Sequence, residues 1–314
     1  MATLVEPTSG GPPPEPAGDQ VVLTRVHWPA PLSLSEGAEL IRAAIVDVQT
    51  TGLSEDAEVI EVCIVPFTAD RTTGHIVSIG PAESGLRGLD TVRDLDPAVT
   101  LRTGLRTENI TGHALPLRAF EQILADVDLV VAFNARFDRQ HITDDAILPG
   151  VRGKFWGCVL DDVNWSQLGF HSLKLEMLLM HHAKQFIDGT LRSEVLCTAV
   201  GALLGKRLPD GQYPLKHIAD SLKQPTFLFV LRDVALETND RLKSRGYRWF
   251  PGNQAARSPS DREKGWWRVV AGMTESDAEH EWIKALYGKR YDAMMKARNI
   301  VRPLTCRQRH SKLL

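Results

Sequence analysis

The stretch AAIVDVQTTGLS, residues 43–54, decides how the rest of the chain is read. Ala43 to Val48 make an apolar run of strand length, and Thr50-Thr51-Gly52 breaks it with turn chemistry. Asp47 and Gln49 are two residues apart, so on a strand their side chains share a face. A carboxylate at the inner end of an apolar strand is costly unless it is paired, hydrogen-bonded or metal-bound. Taken alone, Asp47 also reads as a hydrogen-bonded turn aspartate, because Asp is common at such turns.

Outward from this strand the pattern predicts an α/β domain. AAIVDV, EVIEVCIVPF (58–67) and GHIVSIG (74–80) read as three antiparallel strands in a meander. PLRAFEQILAD (116–126) reads as a helix with Pro116 at its start. VDLVVAFNA (127–135) and KFWGCVL (154–160) are short continuous apolar runs, as in buried parallel strands. RFDRQHITDDA (136–146), HSLKLEMLLMHHAK (171–184) and RSEVLCTAVGALLG (192–205) read as helices, the second with Leu173, Met177, Met180 and Lys184 on one stripe that Leu175, Leu178 and Leu179 widen. A mixed sheet flanked by helices follows.

The domains expected are a disordered or extended segment over residues 1–37, the α/β domain over 38–205 and a basic, aromatic-rich module over 206–314. Residues 1–20 are rich in Pro, Gly and acid, a composition that cannot bury enough apolar area to offset chain entropy. In the last module TFLFVLRDV (226–234), GYRWF (246–250) and KGWWRVV (264–270) read as strands, with helices over 235–245 and 275–288, a small α+β extension. Residues 1–200 hold 15 Lys and Arg against 27 Asp and Glu, and residues 201–314 hold 22 against 12. Any polyanion contact is therefore expected mainly from the C-terminal third.

A second stretch adds chemistry to the first. In VVAFNARFDRQHI (130–142), Asn134 and Asp138 sit where a buried strand meets a helix, the usual place for a ligand-binding group. DVQTTGL (47–53) and FNARFD (133–138) together resemble two motifs of the DEDDh 3′–5′ exonucleases, DxETTGL and HNAxFD, which are carried on a ribonuclease H-like fold. LKSRGYRW (242–249), KGWWRVV and LTCRQRHS (304–311) resemble the C-terminal extension of a bacterial subgroup of that family.

The resemblance implies a catalytic centre of two divalent metals about 3.5–4 Å apart, Mg²⁺ or Mn²⁺, held by four acids, with a histidine as general base. Asp47 and Asp138 match two of the acids and are the implied metal ligands. Gln49 stands where the family has glutamate. In GTLRSEVLCTA (189–199) the third motif places Leu191 at the histidine and Leu196 at the last aspartate. An amide removes a negative charge from beside two dications, and leucine offers neither lone pair nor base. Mg²⁺ favours carboxylate-rich sites, so the metal is expected to be lost with catalysis. Glu194, His181 and His182 are the nearby groups that could compensate.

Nucleic-acid binding depends less on metal. The resemblance assigns the terminal nucleotide to Thr50, Thr51, Gly52 and Leu53, with Asn134 beside them. Arg245, Arg248, Trp249 and Trp267 interleave cations with aromatic rings, a pattern that neutralises phosphates and stacks bases. The same tryptophans also read as core. Of the adjacent Trp266 and Trp267, one is expected to face inward and one outward.

The reading is a catalytically degenerate exonuclease-like protein that binds single-stranded or 3′-ended nucleic acid, DNA rather than RNA, with protein partners in a larger complex. An active exonuclease with unusual ligands and a protein-interaction module are the alternatives. No run of about 18 apolar residues predicts a membrane span, and no charged-then-apolar leader pattern opens the chain. Cys63, Cys158, Cys197 and Cys306 are widely spaced without a CxxC pair, as in reduced cytosolic proteins, which speaks against a zinc site. The expected compartment is cytoplasmic.

Overall fold

The structure is a computed structural model that describes residues 21–251, 264–290 and 301–304, apart from 55, 56, 92, 145, 146, 152 and 233. The tail over residues 1–20 and Cys306 lie outside the described residues. The chain divides into two compact units, Met1–Ala219 and Asp220–Leu314. That boundary falls later than the expected break at 205, because the helix after it packs its Ile218 side chain on Gly157 of the first unit.

The strands of the first unit are β1 (Thr24–Arg25), β2 (Leu40–Thr50), β3 (Val59–Asp70), β4 (Ile76–Ile79), β5 (Glu83–Leu86), β6 (Leu129–Ala132), β7 (Phe155–Cys158) and β8 (Gln185–Phe186). Its helices are α1 (Pro97–Thr103), α2 (Thr107–Ile110), α3 (Leu117–Ala125), α4 (Ala135–Asp144), α5 (Val159–Asp162), α6 (Leu175–Leu178) and α7 (Ser193–Leu204), and α8 (Pro214–Lys223) runs across the boundary between the units. The main sheet runs in the order β4-β3-β2-β6-β7, with β5 also on β3. β2, β3 and β4 form the expected antiparallel meander, and β6 and β7 continue it in parallel. This is the mixed α/β plan that the strand pattern predicts.

Alternation along β2 sets the two faces of the sheet. Ala44, Val46 and Val48 join Phe120, Leu124, Val130, Ile142 and Trp156 in one buried cluster. The odd-numbered residues of β2 point to the other face, which α7 covers. Helix α7 is apolar on nearly all sides and correspondingly buried, from Leu196 through Leu204. Its outer side receives Trp28 and Pro29, at Gly201 and Gly205. There a Cβ at Gly201 would lie 2.1 Å from the Trp28 ring, so only glycine admits this close approach.

The helix predicted over 171–184 starts later, at Leu175, and continues from α6 as a π turn over Leu179–Ala183. Its buried stripe is Leu175, Leu178, Leu179 and His182, whereas Leu173 is exposed and Lys184 ends the element in the left-handed region at φ 57°. Periodicity places apolar residues on a face but does not locate the first hydrogen-bonded turn.

The second unit is an antiparallel sheet in the order β10-β11-β9-β12, made of β9 (Thr226–Leu231), β10 (Arg248–Phe250), β11 (Gly265–Ala271) and β12 (Val301–Leu304). Helices α9 (Asn239–Ser244) and α10 (Met273–Tyr287) accompany it. Phe229, Leu231, Leu242, Tyr247, Trp266, Val270 and Ile283 form its core.

Candidate functional site

The end of β2 opens onto a pocket of about 710 Å³ that brings together Asp47, Gln49, Asp138, Leu191 and Leu196. Thr50, Thr51, Gly52, Leu53 and Asn134 line it as well. Each element delivers its residue for a local reason. β2 carries Asp47 and Gln49 on the α7 side, and the turn after β6 holds Asn134, whose carbonyl accepts the first N–H bonds of α4 from Phe137 (2.8 Å) and Asp138 (3.4 Å). Asp138, in the first turn of α4, thereby turns back toward β2 and accepts from the Val48 N–H at 3.1 Å.

The position of α7 depends on Glu61, which sequence reasoning passed over. Glu61 pairs across the ladder with Gln49 and is 2% exposed. Its Oε2 accepts from the Ser193 N–H at 3.0 Å, and its Oε1 takes the Arg192 guanidinium at 2.5 and 2.8 Å. The first N–H groups of a helix have no partner within it. Arg192 provides no side-chain cap, so a carboxylate from β3 supplies the acceptor. The signal was present as a lone acid inside the run VIEVCIV.

The electrostatics of the pocket floor follow from its few partners. Gln49 Nε2 donates to Asp47 Oδ2 at 2.8 Å. Burial, with the charge of Glu61 adding to it, pushes the Asp47 carboxyl from 3.8 up to about 7, against the pull of Gln49, Ser193 and Arg102. Burial and the charge of Asp47 push Asp138 well above the usual carboxylate range. Beneath them Cys197 is buried, and the same burial raises its thiol. The Ser193 hydroxyl is buried near Asp47 without a partner at hydrogen-bond geometry.

The turn after β2 uses its own hydroxyls. Thr50 Oγ1 donates to the Gly52 carbonyl at 2.5 Å, and Thr51 Oγ1 accepts from the Glu58 N–H at 3.0 Å. Leu53 is left standing at the lip, 81% exposed.

The three compensating candidates do not reach the pocket lining. Glu194 points outward from α7, and His181 is exposed. His182 packs against Trp165 and Phe170, and its Nε2 meets the Lys206 carbonyl at 3.1 Å. Burial lowers His182 to about 4, which keeps it neutral.

The donor set does not suit a paired divalent centre. Gln49 occupies one oxygen of Asp47 with an amide N–H, and Leu191 and Leu196 contribute no donor. Among the described residues no three His, Cys, Asp or Glu side chains come together as a cage. Mg²⁺ asks for near-octahedral oxygen ligation and dehydrates reluctantly, and at the floor one oxygen of Asp47 is taken by the Gln49 amide and one of Asp138 by the Val48 N–H.

In the second unit the structure separates the four residues read as a nucleic-acid surface. Arg248 and Trp249 lie exposed on the edge strand β10, Trp249 at 53%, with its ring edge-on to Trp266 at 5.6 Å. Arg245 turns inward to Glu279 at 2.9 Å and lies 4.7 Å over the Trp282 ring. Trp267 is buried against Leu228, Val230 and Phe250. The expectation that one of Trp266 and Trp267 faces out is corrected, because they occupy opposite faces of β11 and both faces are covered.

Neither a family model nor a curated protein matches this sequence. Among solved structures the chain is similar to E. coli Exonuclease I in complex with a dT13 oligonucleotide, at 13% identity and a TM-score of 0.42, over 61% of this chain and 48% of that one. The chain thus matches about half the length of that protein. A zinc-bound E. coli ExoI–ssDNA complex matches at 12% identity and a TM-score of 0.44, over 82% and 71% of the two chains. A 3′-exonuclease described in 3′-end-specific recognition of a histone mRNA stem-loop matches at 13% identity and a TM-score of 0.39, over 53% and 84%. Among the described residues no helix is long and apolar enough to cross a membrane.

Proposed function

We propose that this chain is a 3′–5′ exonuclease-like protein that captures the 3′ end of single-stranded DNA without cleaving it, as a recognition component of a larger complex. One observation carries the reading. Asp47 and Asp138 share a pocket with Gln49, Leu191 and Leu196, which stand where the resembling family has its glutamate, histidine and last aspartate. A water-activating base and half of the acid set are missing from a cavity that keeps the turn Thr50–Leu53 and Asn134 at its wall. Loss of a general base alone costs about 10²–10⁴ in rate. Arg248 and Trp249, exposed on β10, provide a cation and a stacking surface for the strand in the second unit.

The test uses the purified protein with 5′-labelled linear and internally labelled circular single-stranded DNA, with Mg²⁺ or Mn²⁺ present. The expected result is a mobility shift of the linear strand, a weaker shift of the circle, and no shortening of the label. Chelator-sensitive shortening that disappears in Asp47→Ala would overturn the reading in favour of an active exonuclease. Absence of any shift at low salt would leave protein interaction as the role of the fold.

A further inference from the structure

Two cations stand at the wall of the Asp47 pocket with no acid among the described residues at ion-pair distance. Arg102 occupies the last turn of α1 and lines the pocket together with Leu191. The Arg102 carbonyl accepts from the Leu191 N–H at 2.8 Å. Gly104 ends α1 at φ 72°, where a Cβ would lie 2.8 Å from Thr190. The segment bearing Leu191 and the helix end bearing Arg102 are therefore tied together. Lys174 lines the same pocket from the residue before α6 and is exposed.

No ion pair to either side chain exists among the described residues, whereas Arg192, close by in sequence to Leu191, is taken by Glu61. Asp96 and Glu176 also line the pocket. The Asp96 carboxylate is occupied as the cap of α1, accepting from the Ala98 N–H at 2.7 Å, and Glu176 is exposed.

The substitutions and these cations act in the same direction. Gln49 and Leu196 withdraw two negative charges from the place where the resembling family puts metal, and the cations lie on the wall of that cavity. A guanidinium presents planar paired donors that match two phosphate oxygens, and an ammonium adds a point charge. Phe133 and Phe137 line the same space with aromatic surface. We propose that Arg102, assisted by Lys174, holds the terminal phosphodiester of 3′-ended single-stranded DNA directly, so that end capture in this pocket needs no divalent metal. The proposal rests on the reading of the pocket as a 3′-end site.

The experiment is fluorescence anisotropy with a short 5′-fluorescein oligothymidylate, in EDTA and in Mg²⁺, across a salt series. Wild-type affinity is expected to be the same in both buffers. Arg102→Ala is expected to weaken binding at least about tenfold, the scale of a lost charge-assisted contact. It should also reduce the salt slope by about 0.7, one phosphate contact on a single strand. Lys174→Ala should act in the same direction more weakly, and Arg102→Glu more strongly than Arg102→Ala. Arg118→Ala, exposed on α3 and outside the pocket, is the matched charge control. Thermal melts confirm that each variant is folded, which is expected because Arg102 is exposed.

Binding that requires Mg²⁺ would overturn the proposal while leaving the 3′-end reading intact. So would EDTA-resistant binding that Arg102→Ala and Arg102→Glu leave unmoved. Wild-type protein that binds no oligonucleotide in either buffer overturns both.

Discussion

The two units each bury carboxylates, and they satisfy them in opposite ways. In the second unit Glu279 is 1% exposed and accepts from Tyr247 Oη at 2.7 Å, from Arg245 Nε at 2.9 Å and from Arg268 Nη1. Burial and the hydrogen bond to Glu279 raise the Tyr247 phenol, which keeps it a donor. In the first unit Asp47 and Asp138 meet an amide N–H and a backbone N–H, with no cation in contact, and they line a cavity. A saturated buried acid is an internal tie, whereas a pair left short of donors beside open space is poised toward a ligand. Glu61 belongs to the first kind, although it lies beside the pocket.

Four measurements break or sharpen this contrast. The largest effect is expected from restoring the acid set, with Gln49→Glu, Leu191→His and Leu196→Asp combined. Chelator-sensitive trimming of labelled single-stranded DNA should rise about 10²–10⁴-fold above the parent. A triple variant that folds and still trims nothing would show that more than donor chemistry has been lost. Second, Glu279→Ala leaves two guanidinium groups without their acid. It should destabilise the second unit by about 2–4 kcal/mol, less than a fully buried pair because the arginine side chains are 28–30% exposed. Denaturant unfolding followed by tryptophan fluorescence checks this. Asp138→Asn should be neutral or stabilising in the same assay.

The third measurement concerns pH. Between the ordinary value of 3.8 and about 7, folded Asp47 holds a proton that the unfolded chain has released. Stability therefore falls as pH rises through that window. Asp47→Asn should reduce the slope, leaving the part that buried Asp138 contributes. It should leave the melting temperature near that of the parent below pH 4 and raise it above pH 7, by about 2–4 °C for each kcal/mol relieved. An unchanged pH profile would mean that Asp47 ionises as freely as in the unfolded chain. The smallest effect is expected at the exposed ring. Trp249→Ala should cost under about 1 kcal/mol of stability, against about 3–5 kcal/mol for Trp266→Ala in the core. It should still weaken oligonucleotide binding, and a large loss of stability would place Trp249 with the core instead.

Much of the pocket was legible from local pattern. Asp47 and Gln49 share a face because strand side chains alternate, and Asp138 follows a buried strand into a helix, so both stretches carry their geometry within a few residues. The third segment was legible only by register, and the structure does bring Leu191 and Leu196 to the same cavity. Arg102 and Lys174 carried no such signal. Arg102 sits on a short helix whose end is held by a backbone bond to Leu191, far along the chain. The seating of Trp28 over Gly201 was equally invisible, since it joins remote positions.

Spacing and residue type settled the mixed α/β sheet and the shared face of Asp47 and Gln49, because each depends on neighbours in the chain. Which acids are neutralised, which tryptophans are covered and which cations stand free at the pocket were decided only by packing. Charge pairing and burial are set by distance in space, and a linear order of residues does not contain it.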